Sequence, residues 1–479
     1  MNYSMIRYIT GWIFNFQAIF MVLPVIVAVI YGESDGWAFA AAIGICLVLG
    51  LLLMRRKPSN KVFFAREGYV AVALSWIVLS ISGALPFLFC GAIPGVVDAI
   101  FETVSGFTTT GASIIADVES LSHCVLFWRS FTHWIGGMGV LVFLLTILPM
   151  SGGYHMFLMK AESPGPSVSK LVPKVKTTAK ILYGIYIAMT FVQIILLLIG
   201  KMPLFDALTT TFGSAGTGGF GIKNDSMGSY SAYIQVVTGI FMMLFGINFN
   251  VYFLFLVKKP KQALKSEEVR WYLGIIAATT AIITYFIANS YGSIGEAIRH
   301  AFFQVSSIIT TTGYATTDFN LWSEVPKTIL VMLMFVGACA GSTGGGIKVS
   351  RLVILLKTVS KELKQYIHPK GVKKIQMDGR VIEHETIRSV NVFLITYVLI
   401  FSFSVLLVGF DGKDLITNFT AVAATFNNIG PGLELVGPTQ NFGLFSDGAK
   451  LVLIFDMLAG RLEIFPLLLL FVRDTWRRF

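Results

Sequence analysis

Long, nearly uninterrupted apolar runs constrain the fold of this chain more than any other feature. Four clear examples lie at residues 12–31, 37–54, 70–90 and 181–199. Each is long enough to cross roughly 30 Å of hydrocarbon as a helix. The first run is too long for a cleaved signal peptide, lacks a small-x-small cleavage site and is followed at once by further runs. The sequence therefore predicts a membrane protein that crosses the bilayer several times.

The whole chain divides into long and short apolar segments. Ten are long enough to span a bilayer, and they lie at 10–31, 37–54, 69–90, 124–149, 178–200, 229–257, 270–289, 326–357, 386–410 and 448–473. Four others are too short to cross and are candidates for re-entrant segments, at 95–107, 203–213, 294–309 and 412–427.

The basic residues predict an orientation. The termini and the segments 55–66, 160–180, 258–270 and 348–388 would share one side, and they hold 29 of the 37 Lys and Arg residues. By the positive-inside rule this side, with both termini, is cytoplasmic. The net charge of +11 therefore needs no nucleic-acid partner to explain it. The four cysteines are scattered in apolar surroundings, which indicates neither disulfides nor a zinc site.

The four short segments are copies of one pattern that ends at a glycine. The copies read FETVSGFTTTGAS around Gly111, LTTTFGSAGTGGF around Gly218, FFQVSSIITTTGYA around Gly313 and TAVAATFNNIGPG around Gly430. Their spacing of about a hundred residues indicates a fourfold internal duplication. We predict two N-terminal helices in 1–66, followed by repeats at 67–160, 161–262, 263–370 and 371–479.

The repeated pattern suggests an ion pathway. Non-helical backbone survives at membrane depth only where it is buried in protein or lines a watery cavity. Four such segments entering from one side most simply surround a central pore, where carbonyl oxygens can replace the hydration shell of a cation. Neutral ligands suit an alkali ion better than Ca²⁺ or Mg²⁺. The alternative for each copy is an ordinary helix end with glycine as its cap.

Two further features could form a gate. Five glycines between Gly337 and Gly346 predict a break in the span at 326–357, either a tightly packed kink or a flexible plug. The segment is not a nucleotide-binding loop, because Ile347 stands where that motif requires lysine. Arg461 lies deep in the last span and is costly there. It could pair with an acid of another repeat, such as Glu102, or place a fixed positive charge in the pore.

Several motifs together resemble the TrkH type of the Trk/Ktr/HKT superfamily of potassium-uptake proteins. They are the four repeated segments, HWIGGMGVLVFLLTILP at 133–149, AESPGP at 161–166, CAGSTGGGIKVSR at 339–351 and GRLEIFPLL at 460–468. The resemblance implies an all-α polytopic fold with four helix–P-loop–helix repeats around a pore and two extra N-terminal helices. It also implies a homodimer in the inner membrane of a prokaryote, bound by a cytosolic nucleotide-binding subunit of the TrkA type.

The resemblance also implies a set of site residues. The backbone that would bind potassium comprises Thr109, Thr110, Gly111, Gly216, Thr217, Gly218, Thr311, Thr312, Gly313, Asn428, Ile429 and Gly430. The gate would comprise Gly341, Ser342, Thr343, Gly344, Gly345, Gly346 and Arg461. No copy has the TVGYG sequence of strict potassium channels, so we expect potassium and rubidium to be preferred with weaker rejection of sodium.

Two rival functions remain at this stage. A secondary symporter coupled to H⁺ or Na⁺ would bind the ion at broken helices near the midplane. Such transporters commonly have inverted repeats, whereas these four segments all enter from one side. A membrane enzyme would need a cluster of acids, nucleophiles or histidines, and the sequence contains none. We therefore expect no catalytic residues and no covalently bound cofactor, with membrane lipid as the surroundings.

Overall fold

A computed structural model describes residues 1–58, 64–139, 175–369, 371 and 374–477. The regular secondary structure of the described residues is helical apart from one hairpin of two-residue strands, Gln376–Met377 paired antiparallel with Arg380–Val381. Its α-helices are Tyr3–Tyr31, Gly36–Met54, Ala65–Phe89, Val96–Phe107, His123–Met138, Val175–Ile199, Leu204–Gly216, Ala232–Phe245, Phe249–Leu256, Pro260–Leu264, Glu267–Ile287, Ile294–Ile309, Glu324–Met334, Val349–Ile367, His384–Gly409, Leu415–Phe426, Asp447–Arg461 and Phe465–Leu468.

Six helices of the described part are long and apolar enough to cross a membrane. A seventh is counted if Ala232–Phe245 and Phe249–Leu256 form one bent span. Gly36–Met54 illustrates the class, because it is apolar on every face and only 28% of its most apolar window is buried. Such a helix is stable where lipid covers its outer face. The count of ten spans stays a prediction, and residues 140–149 of the fourth span and the motif at 161–166 lie outside the described residues.

Each of the four short segments forms a helix of 12 to 16 residues that follows a longer helix. These short helices are Val96–Phe107, Leu204–Gly216, Ile294–Ile309 and Leu415–Phe426. Their C-terminal halves are fully buried, whereas several N-terminal residues are exposed. The helix that follows each one is short, at Ala232–Phe245, Glu324–Met334 and Asp447–Arg461 in the last three units. The short helices therefore end in the interior of the protein.

Two of the long spans expected from hydropathy are interrupted in the structure. The span at 229–257 breaks after Phe245 and turns by 90°, with Asn248 accepting a hydrogen bond from the amide of Asn250 at the new helix start. The span at 448–473 stops at Arg461, where Glu463 and Ile464 both adopt positive φ. Hydropathy missed these breaks because the interrupted residues are themselves largely apolar.

The predicted break at the glycine cluster is present. Helix Glu324–Met334 ends and Val349–Ile367 begins 15 residues later, and residues 335–348 between them contain no α-helix. We call residues 335–348 the glycine-rich loop. Beyond it, Lys357 joins the hairpin to the helix Glu267–Ile287, since its ammonium lies 2.5 Å from Glu267 and 2.7 Å from the carbonyl of Gln376.

Candidate functional site

All four short helices end in the same backbone conformation. One or two residues after the end of each short helix, a residue has a left-handed φ of 56–59°. The residue two positions after that one is a glycine with positive φ. The residue between them donates its amide to a carbonyl five positions back, at 2.8 Å in every case. The four segments with this conformation are 109–111, 217–219, 311–313 and 428–430, and we call them the ring segments.

The second ring segment differs by one residue from the sequence alignment. The alignment placed Gly218 opposite Gly111, with Gly216 and Thr217 before it. In the structure Thr217 has the left-handed φ and Gly219 is the positive-φ glycine, so Gly219 is the structural equivalent of Gly111. Gly216 is instead the last residue of the short helix. The run of glycines on both sides of Thr217 hid this register, because sequence alone does not distinguish adjacent glycines.

The ring segments are helix ends, but the first left-handed residue after the helix is not a glycine in any of them. That position is Thr109, Thr217, Thr311 or Asn428. A β-branched side chain rarely adopts positive φ, at a cost on the order of 1–3 kcal/mol per residue. Three such threonines persist only because surrounding contacts stabilise this conformation. The helix-cap alternative therefore describes the geometry only in part, since an ordinary cap would place glycine there.

The ring segments contact one another in a closed cycle. Each positive-φ glycine lies against a carbonyl of the next segment, so closely that an added Cβ would overlap it or crowd it. The pairs are Gly111 with Gly218, Gly219 with Thr312, Gly313 with Ile429 and Gly430 with Thr110. The carbonyl always belongs to the residue directly before the next glycine. The fourth contact returns to the first segment, which is the pattern expected when four equivalent segments surround one axis.

A cavity of about 100 Å³ opens against the ring. Its lining includes Gly111, Gly219, Gly313 and Gly430, one from each segment. This shared lining gives a second indication that Gly219 is the equivalent residue. All four ring segments thus border one cavity, and the residues that line it are neutral apart from Arg129 and Lys223.

Side-chain hydroxyls of the ring segments bind within the scaffold. The hydroxyls of Thr110 and Thr312 each lie 2.8 Å from the threonine two positions earlier. Asn428 donates from Nδ2 to Thr110 Oγ1 at 3.0 Å and to the carbonyl of Met457 at 2.9 Å. All these side chains are fully buried. Their hydrogen bonds fix the position of the ring backbone, which carries the carbonyl oxygens.

A buried ion pair supports the outer ends of two ring segments. Glu102 Oε1 accepts a 2.8 Å hydrogen bond from Arg129 Nε, and both side chains are almost wholly buried. Glu102 also accepts from the amide of Ile114, while Arg129 donates to the carbonyl of Gly221. The pair therefore holds the chain just after the first and second ring segments. Sequence reasoning missed it, although two charged residues in apolar helices are a signal for such pairing.

His133 supports the same two segments from behind. Its Nδ1 lies 2.7 Å from the carbonyl of Gly106, and its Nε2 lies 3.2 Å from the amide nitrogen of Phe220. Because an amide N–H can only donate, Nε2 accepts and the ring proton is on Nδ1. A Cβ at Gly218 would overlap the imidazole. His133 was quoted in a sequence motif, but no supporting role was predicted for it.

The glycine-rich loop packs directly against the inner side of the ring. The amide of Gly345 donates to Thr311 Oγ1 at 2.6 Å. A Cβ on Gly344 would lie 2.9 Å from the carbonyl of Thr310, and one on Gly345 would lie 2.7 Å from the carbonyl of Asn427. Gly337, Gly341 and Gly346 have positive φ. The glycines are thus required by tight packing and by backbone conformation, as the kink alternative predicts. The loop that contains them lies directly next to the ring segments.

Arg461 lies between the ring and the glycine-rich loop. Its Nη1 donates to Thr109 Oγ1 at 3.2 Å and to the carbonyl of Thr343 at 2.9 Å, and its Nη2 donates to the carbonyl of Gly136 at 2.7 Å. The predicted alternative of an ion pair with Glu102 is wrong, because Glu102 pairs with Arg129. Arg461 therefore brings a positive charge to the inner side of the ring.

The structure brings most of the predicted site residues together. The four ring segments, Thr343 to Gly345 and Arg461 form one contacting cluster, as the distances above show. Gly341 lies further along the loop, where its carbonyl accepts from the amide of Phe249 at 3.0 Å. Ser342 donates to the carbonyl of Cys339 within the loop at 2.6 Å. No group of three or more His, Cys, Asp or Glu residues in the described part could hold a metal ion.

The fold and this cluster define a class of protein. Many apolar helices surround four interior helix ends that close on one another beside one cavity, which is the architecture of a multi-pass membrane transport protein. The profile of the TrkH family, described as a cation transport protein, matches residues 36–477. The chain therefore belongs to the TrkH family, which is a family of transporters and not of enzymes.

Relatives match over the full length of the chain. A Trk system potassium uptake protein TrkH from Salmonella typhimurium is 37% identical over 488 residues, and the match covers 100% of both chains. The protein of the same name from Escherichia coli K12 is 37% identical over 486 residues, again with full coverage. The crystal structure of the potassium transporter TrkH from Vibrio parahaemolyticus matches with a TM-score of 0.89 at 34% identity and 100% coverage of both chains.

Proposed function

We propose that this protein takes up potassium across the cytoplasmic membrane through the opening enclosed by the four ring segments. One observation carries the proposal: the positive-φ glycine of each ring segment lies against a backbone carbonyl of the next segment, and the four contacts form a closed cycle. Carbonyl oxygens held in such a ring can replace the water around a weakly hydrated cation. The potassium transport named for the relatives agrees with this chemistry.

The ring favours potassium over divalent cations but gives modest selectivity among alkali ions. Its oxygens come from backbone carbonyls and threonine, whereas Ca²⁺ and Mg²⁺ favour carboxylate ligands. Each segment supplies only a short stretch of backbone before its glycine, and the residue there is threonine in only two of the four segments: Thr110, Gly218, Thr312 and Ile429. We expect preference for potassium and rubidium, with weaker rejection of sodium than a channel with four identical segments would show.

We further propose that the glycine-rich loop and Arg461 close the pathway on its inner side. The loop fills the space beneath the ring through the contacts of Gly344 and Gly345. The guanidinium of Arg461 adds an electrostatic barrier there, because a fixed positive charge in a region of low dielectric repels cations. The hydrogen bond from Gly345 to Thr311 and the hydrogen bond from Arg461 to Thr109 support a closed gate in this conformation.

A regulatory subunit would open the gate from the cytoplasm. We propose a nucleotide-binding partner of the TrkA type, a homodimeric arrangement and cytoplasmic termini. The docking face would comprise segments 160–180, 258–270 and 357–388, of which 160–174 lies outside the described residues. Helix Val349–Ile367 runs from the gate into this face. Charge reversal at Lys374, together with Lys373 outside the described residues, should then weaken co-purification with the partner. Unchanged co-purification would favour a lipid-facing basic rim.

Ion flux in proteoliposomes tests the proposed function. At a fixed membrane voltage, a gated pore carries rubidium or potassium at a rate that does not depend on an imposed proton or sodium gradient. A symporter coupled to H⁺ or Na⁺ would instead change its rate, or its reversal voltage, with that gradient. Flux coupled to either gradient would therefore replace the pore with the symporter alternative.

A further inference from the structure

We propose that Glu268 is the residue that holds the glycine-rich loop closed, by fixing with one carboxylate the chain on both sides of the gate glycines, at Ala340 and Ser350. This inference rests on the proposed gating function and adds a positioning residue to it. Glu268 lies in the first turn of the helix Glu267–Ile287, away from the ring. Its side chain is 5% exposed.

A single oxygen of Glu268 contacts the chain before and after the gate glycines. Oε1 accepts a hydrogen bond from the amide of Ala340 at 2.6 Å and another from the amide of Ser350 at 3.1 Å. Ala340 precedes the gate glycines, and Ser350 is the second residue of the helix that follows them. A carboxylate at this position also satisfies an amide at the start of that helix, where the helix dipole favours negative charge.

This contact determines where the loop can lie. Residues 340 and 350 are the two ends of an 11-residue segment, and holding both on one atom removes much of the freedom that the segment would otherwise have. Charged acceptors make hydrogen bonds roughly twice as strong as neutral ones. The contact of the loop with the ring through Thr311 involves a neutral hydroxyl and is therefore weaker. The attachment through Glu268 is thus stronger than the one through Thr311, and the loop is also held by the charged hydrogen bond from Arg461 to the carbonyl of Thr343.

Near Ala340 and Ser350 the loop makes two further hydrogen bonds through backbone amides, and the side chain of Arg351 donates to the carbonyl of Ile347 at 3.1 Å. The amide of Cys339 donates to the carbonyl of Gly246, and the amide of Val349 donates to the carbonyl of Ala338, both at 3.0 Å. The first of these attaches the loop to the break in the preceding unit. Neither can compensate for loss of the carboxylate, because a lone hydrogen bond between neutral backbone groups adds little net stability. Removing Glu268 should thus release the loop while leaving the helices packed.

Glu67 provides a matched control. It is also a buried glutamate in the first turn of a long helix, Ala65–Phe89, and it is 3% exposed. Its hydrogen bonds are local, accepted from the amide of Phe64 at 3.1 Å and from Arg66 at 3.5 Å. Substitution there removes a comparable buried carboxylate from the first unit without touching either end of the glycine-rich loop.

The experiment measures rubidium flux into proteoliposomes that contain the full chain without its regulatory subunit. We expect Glu268→Ala to raise this unstimulated flux on the order of tenfold, since two hydrogen bonds to a charged group are lost. Glu268→Gln should raise it less, because the amide oxygen can still accept. Glu67→Ala and Glu67→Gln should leave the flux at the parent value. A rise in flux is informative because general damage to the fold lowers transport.

A second measurement reports on the position of the loop itself. Cys339 is fully buried next to Ala340, and in a variant with Cys46, Cys90 and Cys124 replaced by alanine it is the single thiol. Glu268→Gln and Glu268→Ala should speed its modification by a water-soluble thiol reagent, because thiols react only when exposed. Equal modification rates in the parent and both Glu268 variants would overturn the proposal, even if Glu268→Ala alone failed to fold.

A deletion of residues 344–346, tested in parallel, separates this inference from the proposed gate. If the deletion raises unstimulated flux and the Glu268 variants do not, the gate stands and Glu268 does not position it. If neither the deletion nor the Glu268 variants raise flux, the gate itself is refuted. If both raise flux while the Glu67 variants do not, Glu268 is the positioning residue.

Discussion

Replacing Gly313 by serine should reduce the preference for potassium over sodium while the protein still folds. Gly313 has a φ of 87°, and a Cβ there would overlap the carbonyl oxygen of Ile429 and lie 2.9 Å from Pro431 Cδ. The overlap is with backbone, so no side-chain rotamer relieves it. The serine must therefore push the third and fourth ring segments apart.

The size of the effect follows from two costs. A residue with a Cβ pays on the order of 1–2 kcal/mol in the left-handed region. Carbon and oxygen atoms seldom approach closer than roughly 3.3 Å, so the carbonyl must move by on the order of 1 Å. A shift of that size in one of four oxygen groups changes the fit to the ion. Because about 1.4 kcal/mol corresponds to a factor of ten, we expect selectivity to fall on the order of tenfold.

The assay compares rubidium and sodium flux in proteoliposomes for the parent, Gly313→Ser and Gly274→Ser. Gly274 lies in the helix Glu267–Ile287, and nothing lies within 4 Å of a Cβ built on it, so its substitution controls for adding a serine to the same unit. Elution as a single species in size-exclusion chromatography shows that each variant folds. An unchanged flux ratio in Gly313→Ser, with Gly111→Ser equally silent, would refute the assignment of these glycines to the ion pathway.

Three further outcomes are expected. Deleting residues 344–346 and substituting Arg461→Ala should each raise unstimulated flux, and the variant with both changes should leak more than either single variant. If both single variants fold and conduct no more than the parent, the gate lies elsewhere. Thr311→Val removes the acceptor of the Gly345 amide, so it should raise flux in the otherwise unchanged protein but add nothing in the variant that lacks residues 344–346. A full additional increase in the deletion variant would show that the hydroxyl acts independently of the loop. Burial raises the pKa of Glu33, but hydrogen bonds from Cys124 and His123 outweigh it and lower that pKa below its ordinary value of 4.5. The stabilising contribution of Glu33 is therefore present above pH 4.5 and lost as the pH falls through the lowered pKa. Glu33→Gln should lower the melting temperature more at pH 7 than at pH 3, and equal losses at the two pH values would contradict this.

Sequence periodicity and composition predicted the helices that carry the site, because each depends on local information. The short helix Val96–Phe107 lies almost where the apolar stretch 95–107 placed it, and the break before Val349 follows from the glycines. The register at Gly219 could not be predicted, because the choice between neighbouring glycines depends on contacts with Thr312 of another unit. The pairing of Glu102 with Arg129 instead of Arg461 likewise depends on packing between helices.

The interruption at Glu463 and Ile464 has a related cause. Both residues have positive φ, which is rare for an isoleucine, so no local preference of the sequence indicates a break there. The conformation is stabilised by contacts from elsewhere, including the 2.5 Å ion pair between Glu463 and Arg351. Strain of this kind is retained at positions that tertiary contacts determine, and local sequence does not reveal it.

The ring and the glycine-rich loop form one packed unit, since three of the four left-handed residues of the ring segments contact the loop or Arg461. Thr311 contacts Gly345, Thr109 contacts Arg461, and a Cβ on Gly345 would lie 2.9 Å from Asn428 Cβ. Movement of the loop therefore removes contacts that stabilise left-handed threonines. Packed interiors change between discrete arrangements and do not deform continuously. The ring should accordingly relax when the gate opens, so that ion selectivity and gating depend on the same few contacts.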